Sequence, residues 1–445
     1  MLGGVIRIGE GAGYSGAWLE PAVDLAARGA LDYLLFECLA ERTIALAQLA
    51  RLADPAGGYD PYLVRRMEAV LGHCRAGGTR ILTNAGAANP GAAGQAVADV
   101  ARRLGLAGLR VGVVTGDDVL GRLDPGLTLA ETGQTLGQLG DRVVSANAYL
   151  GAEPLIEALA AGADVVVAGR IADPSLALAA LRHAHGWAAD DWPLLGAGTA
   201  VGHLTECGPQ VTGGYFADPG RVDVPELAAI GSPIAECAAD GTAVITKLPG
   251  TGGAVSFATC AEQLLYEVGD PAAYLTPDVA ADFSRVELEP AGPDRVRVRG
   301  AGGRPAPATL KVSVGYRDGF AGEGQISYGG AGCVARARAA AEAVLRRLES
   351  AGLGRRELRA DLIGLDALFG RPLGDAEPGE VRLRVAARVD RREEAEAVGR
   401  AVEALWIGGP YGGAGATRAV REVIAIGSVF VRREMVEPRV ALLEA

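Results

Sequence analysis

An α/β fold is what this chain predicts: a mostly parallel sheet flanked by helices in the N-terminal half, followed by an α+β domain. Three observations carry that expectation. Through the first 185 or so residues, short runs rich in Val, Ile and Leu alternate with amphipathic helical stretches, the mark of a sheet covered on both faces. Beyond about residue 236 the apolar runs take a period of two, as half-buried antiparallel strands do. The length, 445 residues, exceeds the roughly 250–300 that one core supports. We therefore expect a domain over 1–235 and a second over 236–445, joined through the acidic, proline-bearing stretch 216–236.

Each element has its own warrant. VIRIG (5–9) reads as a strand, followed by a glycine loop and a helix near 19–29. DYLLFECL (32–39) is a second strand, running into a helical pattern at 40–52 and another at 61–76. TRILTNAG (79–86), RVGVVTGDD (110–118), RVVSANAYLG (142–151) and ADVVVAGRIADPS (163–175) each read as strand plus loop, with helices at 92–104, 153–161 and 176–184. In the second half TAVITKL (242–248) is a strand and 254–268 a helix. SRVELEP (284–290), DRVRVRG (294–300) and TLKVSVGYR (309–317) alternate with period two. A helix over 333–350, strands at 358–365 and 381–389, a helix at 391–405 and a strand at 423–433 complete the α+β pattern.

Composition narrows the function classes. With 49% hydrophobic and 22% charged residues the chain is an ordinary globular protein. The net charge of −11 argues against a general nucleic-acid or anionic-membrane surface. No apolar run approaches the ~20 residues that span a bilayer, and the first residues lack the basic and apolar pattern of a signal peptide. The six cysteines are scattered, without a C-x-x-C pair, so reduced thiols and a cytoplasmic location are expected.

Ligands on parallel sheets bind at the carboxyl ends of the strands. That rule gathers Glu10, Ser15, Glu37, Glu41, Asn84, Asn89, Asp117, Asp118, Asn147, Tyr149, Arg170 and Asp173 on one rim. From these we take Glu10, Ser15, Asn84, Asn89, Asp117, Asn147, Arg170 and Asp173 as substrate-binding candidates. The bland alternative for each is a turn former or helix cap. GEGAGYSG (9–16) contains the G-x-G-x-x-G spacing of a dinucleotide site, but Glu10 would repel a pyrophosphate. A glycine loop shaping a substrate pocket fits better. PGTGG (249–253), preceded by Lys247, reads as an anion nest at a helix start. There Lys247, Gly250, Thr251, Gly252 and Gly253 would hold a phosphate of coenzyme A or a substrate carboxylate. The alternative is a tight turn with a solvent-facing lysine. YGGAG (328–332) and GGPYGGAG (408–415) suggest close packing or an oligomer contact, and a homo-oligomer is expected.

The densest chemistry lies in GHLTECGPQVTGG (202–214), where His203, Glu206 and Cys207 crowd together in a chain with only 4 His. Three readings stand beside a structural turn. Glu206 is a general acid–base group with His203 as a second proton carrier. Cys207 is a nucleophile with His203 as its base. A metal site is the third, but H-x-x-E-C is no established zinc spacing and no second Cys/His cluster exists, so no metal is assigned. His73, His183 and His185 are expected at the surface of helices.

Eight segments together resemble one family. They are GEGAGYSG (9–16), LAERT (39–43), TNAGAANP (83–90), TGDD (115–118), GADVVVAGRIADPSLAL (162–178), GHLTECGPQVTGG (202–214), ITKLPGTGG (245–253) and EQLLYEVGDPAAYLTPDV (262–279). In that order they are similar to the acyclic terpene utilisation (AtuA-like) family, formerly a domain of unknown function. The resemblance implies bacterial catabolism of citronellol- and geraniol-type compounds through carboxylated acyl-CoA thioesters, alongside biotin-dependent carboxylases. It also implies an acidic–basic pair after the first glycine loop, where this chain has Ala17 and Trp18. A further small domain, carried in the chain or as a separate small subunit, is implied as well, and its R-S-G-D-K-G-like motif is not among the 445 residues.

The expectation is an enzyme acting on a small carboxylic acid or its CoA thioester, with lyase or hydratase chemistry. Glu206 would move the proton alpha to the carbonyl, His203 would be its partner acid, and Asn84, Asn147 and Arg170 would hold the carboxylate or oxyanion. Coenzyme A would enter only as part of the substrate. Two alternatives stay open: an accessory subunit of an acyl-CoA-processing assembly, and a Cys207-dependent acyl transferase or hydrolase.

Overall fold

The computed structural model describes residues 4–353, 357–374 and 377–445. Contacts divide the chain into two compact units, 1–315 with 426–445 and, between them in sequence, 316–425. The first begins with β1 (Ile6–Glu10), α1 (Glu20–Arg28), β2 (Tyr33–Phe36), α2 (Glu41–Ala53), α3 (Leu63–Gly77), β3 (Arg80–Thr83), α4 (Pro90–Arg103) and β4 (Arg110–Thr115). It continues with α5 (Leu136–Leu139), β5 (Val143–Ala148), α6 (Glu153–Ala160), β6 (Val165–Ala168), α7 (Ser175–His185) and α8 (Trp192–Thr205). Then come β7 (Pro233–Cys237), β8 (Ala243–Lys247), α9 (Phe257–Leu265), β9 (Tyr274–Leu275), β10 (Ala280–Asp282), β11 (Glu287–Gly292), β12 (Arg295–Arg299) and β13 (Gly302–Arg304). The long β14 (Thr309–Gly329) leads into the second unit, which holds α10 (Cys333–Ser350), β15 (Leu358–Ile363), β16 (Glu380–Val389), α11 (Arg392–Glu403) and α12 (Leu405–Gly408). β17 (Ala414–Arg432) leads back, and β18 (Arg439–Glu444) closes the first unit.

One ten-stranded sheet organises the first unit, in the order β11-β12-β8-β7-β1-β2-β3-β6-β4-β18. Its centre, β1-β2-β3-β6-β4, is parallel. The strands there are short and apolar on both faces because helices cover them, and Leu34, Phe36, Ile81, Val111 and Val165 pack with Val70 of α3 and Val97 of α4. The flanks are antiparallel: β7, β8, β12 and β11 on one side and β18 on the other.

Three features differ from the expectation. The boundary placed at 235 falls within β7, which is bonded to β1, so the strands expected at 242–248, 284–290 and 294–300 extend the first sheet. Alternation marks a half-covered strand but does not say which sheet it joins. The strand at 143–148 is outside the parallel array and pairs with β14. Finally α8, which carries His203 in its last turn, was not expected, since Gly196, Gly198 and Gly202 each disfavour a helix by about 1 kcal/mol. Packing explains them. A Cβ on Gly198 would lie 2.7 Å from Leu178 Cδ1, and one on Gly202 would lie 2.5 Å from Pro174 O, so these glycines let α8 press against α7 and its N-terminus.

In the second unit the sheet β15-β16-β14-β17 is packed by α10 and α11. Val381, Leu383 and Val385 of β16 point into a core with Ile326, Val344 and Val398, as the period of two predicts.

Candidate active site

The rim is where strand ends deliver polar residues, and most of those named from sequence are found there bonded to one another. Glu10 ends β1, and its Oε1 accepts the N–H of Ala12 and the N–H of Glu37, each at 3.0 Å. Glu37 follows β2, and its Oε1 accepts the N–H of Leu39 at 2.7 Å and Asn84 Nδ2 at 2.9 Å. Asn84, just after β3, also accepts the Cys38 N–H at 2.7 Å. Arg170, after β6, donates to Leu39 O at 2.8 Å and to its own neighbour Ile171 O, and it pairs with Asp173. Asp117, after β4, accepts the Arg170 N–H at 3.0 Å and Asn147 Nδ2 at 2.8 Å. The result is a belt of side-chain clamps that crosses the strand ends in sheet order.

This belt reassigns several candidates. Asn84, Asn147 and Arg170, expected to hold a substrate carboxylate, turn inward and tie loops together. Arg170 is fully buried, its guanidinium 4.5 Å from the centre of the Tyr149 ring. Asn89 caps α4 through the Ala92 N–H and donates to Pro55 O and Gly57 O. Ser15 is half-buried, and its carbonyl accepts a bond from Arg66.

The expected anion nest at 249–253 is not formed. Helix α9 starts later, at Phe257, capped by Ser256. The N–H groups of Thr251, Gly252 and Gly253 donate to Leu248 O, Ala229 O and Pro225 O, and Gly250 has the positive φ of a tight turn. Lys247 Nζ is buried, 2.8 Å from Thr251 O and 3.2 Å from Asp294. A backbone that must close on itself and on the 225–229 segment has spent the donors an anion would need.

The cluster at 203–207 lies beside the rim. Gly13 (φ +102°) and the Cys207 backbone approach so closely that a Cβ on Gly13 would lie 2.5 Å from the Cys207 carbonyl carbon. The glycines of the first loop thus serve close backbone approach, bringing Glu10 towards Glu206. His203 Nδ1 lies 2.9 Å from Glu206 Oε1, both side chains buried. Its ring stacks on Phe283 at 5.7 Å and meets Tyr274 at 5.2 Å between centroids. Gln263 Nε2 holds the His203 carbonyl at 3.0 Å. Glu206 Oε2, His203 Nε2 and Gln263 Oε1 are buried without a hydrogen-bond partner among the described residues.

Electrostatics separate the acids. Burial, with a contribution from Glu206, pushes the Glu10 carboxyl up to about 8. Burial, then the nearby Asp173 charge, raises Glu37 well above the usual range. Burial raises Asp117 to about 6. Asp173 is driven up to about 7 by desolvation and the charges of Glu206 and Glu41, against the pull of Arg170. Its side chain is 37% exposed, against 10% for Glu206. Burial alone would lower His203, but the bond and charge of Glu206 raise it. Glu41, at the start of α2, goes the other way: desolvation is outweighed by the Tyr149 hydroxyl and Lys311, which bring it down to about 2. Burial and the Glu206 charge push the Cys207 thiol up to about 12, which leaves it neutral and a poor nucleophile. Among the described residues no group of three or more His, Cys, Asp or Glu is placed to hold a metal ion.

Sequence reasoning missed Arg66, Gln263, Tyr274, Phe283 and Lys311. Arg66 of α3 is buried against Asp60 at 3.1 Å and Cys38 Sγ at 3.4 Å, and nothing in LVRRME distinguishes it from Arg65. Lys311 carried a signal, being one of two lysines in an arginine-rich chain. Gln263 and Tyr274 lie in the family-like segment 262–279. His183 and His185, expected at the surface of helices, have polar partners: His183 meets the Tyr33 hydroxyl at 2.8 Å, and His185 Nε2 lies 3.3 Å from Cys237 O.

A second feature adjoins these loops. A cleft of about 450 Å³ lies between the segment 11–24 and the segments 227–232 and 248–251, with Ala17 and Trp18 in its wall. Among the described residues no helix is long and apolar enough to cross a membrane.

In comparison with known proteins the chain matches the family model described as acyclic terpene utilisation family protein AtuA, over residues 6–442. Neither a curated protein nor a solved structure matches the chain.

Proposed function

The chain belongs to the acyclic terpene utilisation family AtuA, and from that premise we propose that it is an enzyme acting on a carboxylic acid or its CoA thioester by lyase- or hydratase-type acid–base catalysis. The family gives the metabolic role, acyclic terpene utilisation. The chemistry is inferred from one observation above all: Glu206 is fixed through Oε1 to His203 while its Oε2 has no protein partner. A buried carboxylate oxygen left free is costly unless a ligand uses it.

Glu206 Oε2 takes the proton alpha to the carbonyl. His203, with a proton on Nδ1, orients Glu206 and stabilises its charge. His203 itself is sealed between aromatic rings, so the partner acid is better supplied by Asp173, which is near neutrality at about 7 and open on one side. Arg170, held over Tyr149, aims Asp173 from behind. The thiol mechanism is disfavoured by the raised Cys207.

The test is Glu206→Gln, assayed on a panel of branched hydroxyacyl- and enoyl-CoA thioesters and the free acids. Turnover should fall on the order of 10²–10⁴-fold with an unchanged circular dichroism spectrum. Full activity in this variant rules out the assignment. If the native protein turns over none of them yet copurifies with an acyl-CoA carboxylase, the accessory-subunit reading takes its place.

A further inference from the structure

The cleft of about 450 Å³ beside the first glycine loop has a size typical of small-ligand sites. Its walls are apolar: Ala12, Trp18, Pro21, Pro209, Ile230 and Leu248. Among the described residues the charged groups that line it are acidic, Glu20 and Asp24, and no Lys, Arg or His does. A carboxylate or a coenzyme A phosphate would meet like charge there and no cation. An uncharged hydrocarbon chain meets walls that are mostly apolar and no opposing charge.

Two loops that carry the acid–base cluster also contribute to the cleft wall. Ala12 lines it, two residues from Glu10, to whose carboxylate the Ala12 N–H is bonded. Pro209 lines it, three residues from Glu206. The Gly13–Cys207 approach joins the two loops between these points. At the mouth, Trp18 is 73% exposed, an unusual state for so large an apolar side chain.

We propose that this cleft binds the aliphatic tail of the substrate, a neutral hydrocarbon chain of medium length, with the carboxyl or thioester end lying outside it toward Glu206. The assignment rests on the reading of Glu206 as the acid–base group, but its test does not need turnover.

The full chain is titrated with the alcohols n-hexanol, n-octanol and n-decanol and with decanoate, and tryptophan emission is followed. Decanol should shift the emission to the blue in a saturable way, and Trp18→Phe should abolish the shift. Affinity should rise roughly three- to fourfold per methylene, the factor for burying each CH₂. Ala229→Phe, in an exposed wall position, should weaken decanol by roughly tenfold or more by filling the space. Decanoate should bind more weakly than decanol. Absence of any saturable shift, a shift insensitive to both substitutions, or tighter binding of decanoate overturns the proposal. So does a concentration-dependent shift without ligand that accompanies dimer formation, which identifies a second copy as the occupant. Glu206→Gln separates the two ideas. Decanol binding retained with turnover lost is the expected result. Binding absent while Glu206→Gln still abolishes turnover overturns the cleft alone, and binding present with Glu206→Gln fully active overturns the acid–base reading alone.

Discussion

Glu10 offers a quantitative test of the rim, through Glu10→Gln. The carboxyl is buried, accepts two backbone N–H groups through one oxygen, and sits at about 8 against an ordinary 4.5. A carboxyl whose folded pKa lies above its unfolded value keeps a proton that the unfolded chain has already released. Between pH 4.5 and 8 the folded state therefore binds more protons, and stability falls as pH rises through that window. At 1.36 kcal/mol per pH unit, the full window of 3.5 units corresponds to about 5 kcal/mol lost by pH 8, and about 3 kcal/mol by pH 7. Glutamine keeps an oxygen for the two N–H donors and cannot ionise. Urea unfolding at pH 5, 6, 7 and 8, followed through the buried Trp187 of the same unit, should show the variant gaining on the native protein as pH rises. Other raised acids contribute a slope common to both proteins. Parallel stability–pH curves for the two proteins refute the burial of a protonated Glu10 and the two-loop clamp built on it.

Three further perturbations address the loops around it. Gly13→Ala forces a side chain into φ +102° against the Cys207 carbonyl, and the two costs together are about 3 kcal/mol of stability, read as a lower urea midpoint; an unchanged midpoint means the loops do not touch. Lys247→Ala removes a buried ammonium bonded to Thr251 O and Asp294, so stability should fall by about 2 kcal/mol while inorganic phosphate binding by calorimetry is unchanged. Lost phosphate binding at unchanged stability would reinstate the anion nest. Cys207→Ser should keep turnover within about twofold, and iodoacetamide should label the native thiol slowly at pH 7.5, because a thiol at about 12 is almost wholly protonated there. Abolished turnover in Cys207→Ser revives the thiol mechanism.

Much of the fold was legible. The apolar runs of β1, β2, β3, β4 and β6 and the helices between them are local signals, and the covering of both faces makes them strong. What stayed hidden depends on partners distant in sequence. A helix carrying Gly196, Gly198 and Gly202 is intelligible only against the Gly302 backbone, Leu178 and Pro174. That β7 pairs with β1, more than 200 residues earlier, is not written in either strand. Lys247 followed by PGTGG has the composition of an anion site, and only the 225–229 segment, folding over it, shows that the N–H groups are taken.

The rim shows the same limit more sharply, and it bears on the chemistry. Position relative to the strands placed Glu10, Asn84, Asp117, Asn147, Arg170 and Asp173 at one edge, but position does not say what a side chain faces. All six are directed at neighbouring backbone or at one another. A short polar side chain at a strand end has an N–H or C=O from the next loop within reach, and an internal bond there is formed without loss of a ligand's mobility. The belt therefore consumes the acceptors and donors that sequence alone would assign to substrate. Glu206 retains a buried oxygen without a protein partner, and Asp173 keeps an open side despite its pairing with Arg170. The remaining rim residues surround these two: Glu10, joined to the Cys207 loop through Gly13, is kept protonated by burial with a contribution from the Glu206 charge, and Arg170, locked by Leu39, Ile171 and Tyr149, pairs with Asp173. In the proposed chemistry proton transfer then falls to two carboxyl groups, Glu206 bonded to His203 and Asp173 raised by its surroundings to about 7.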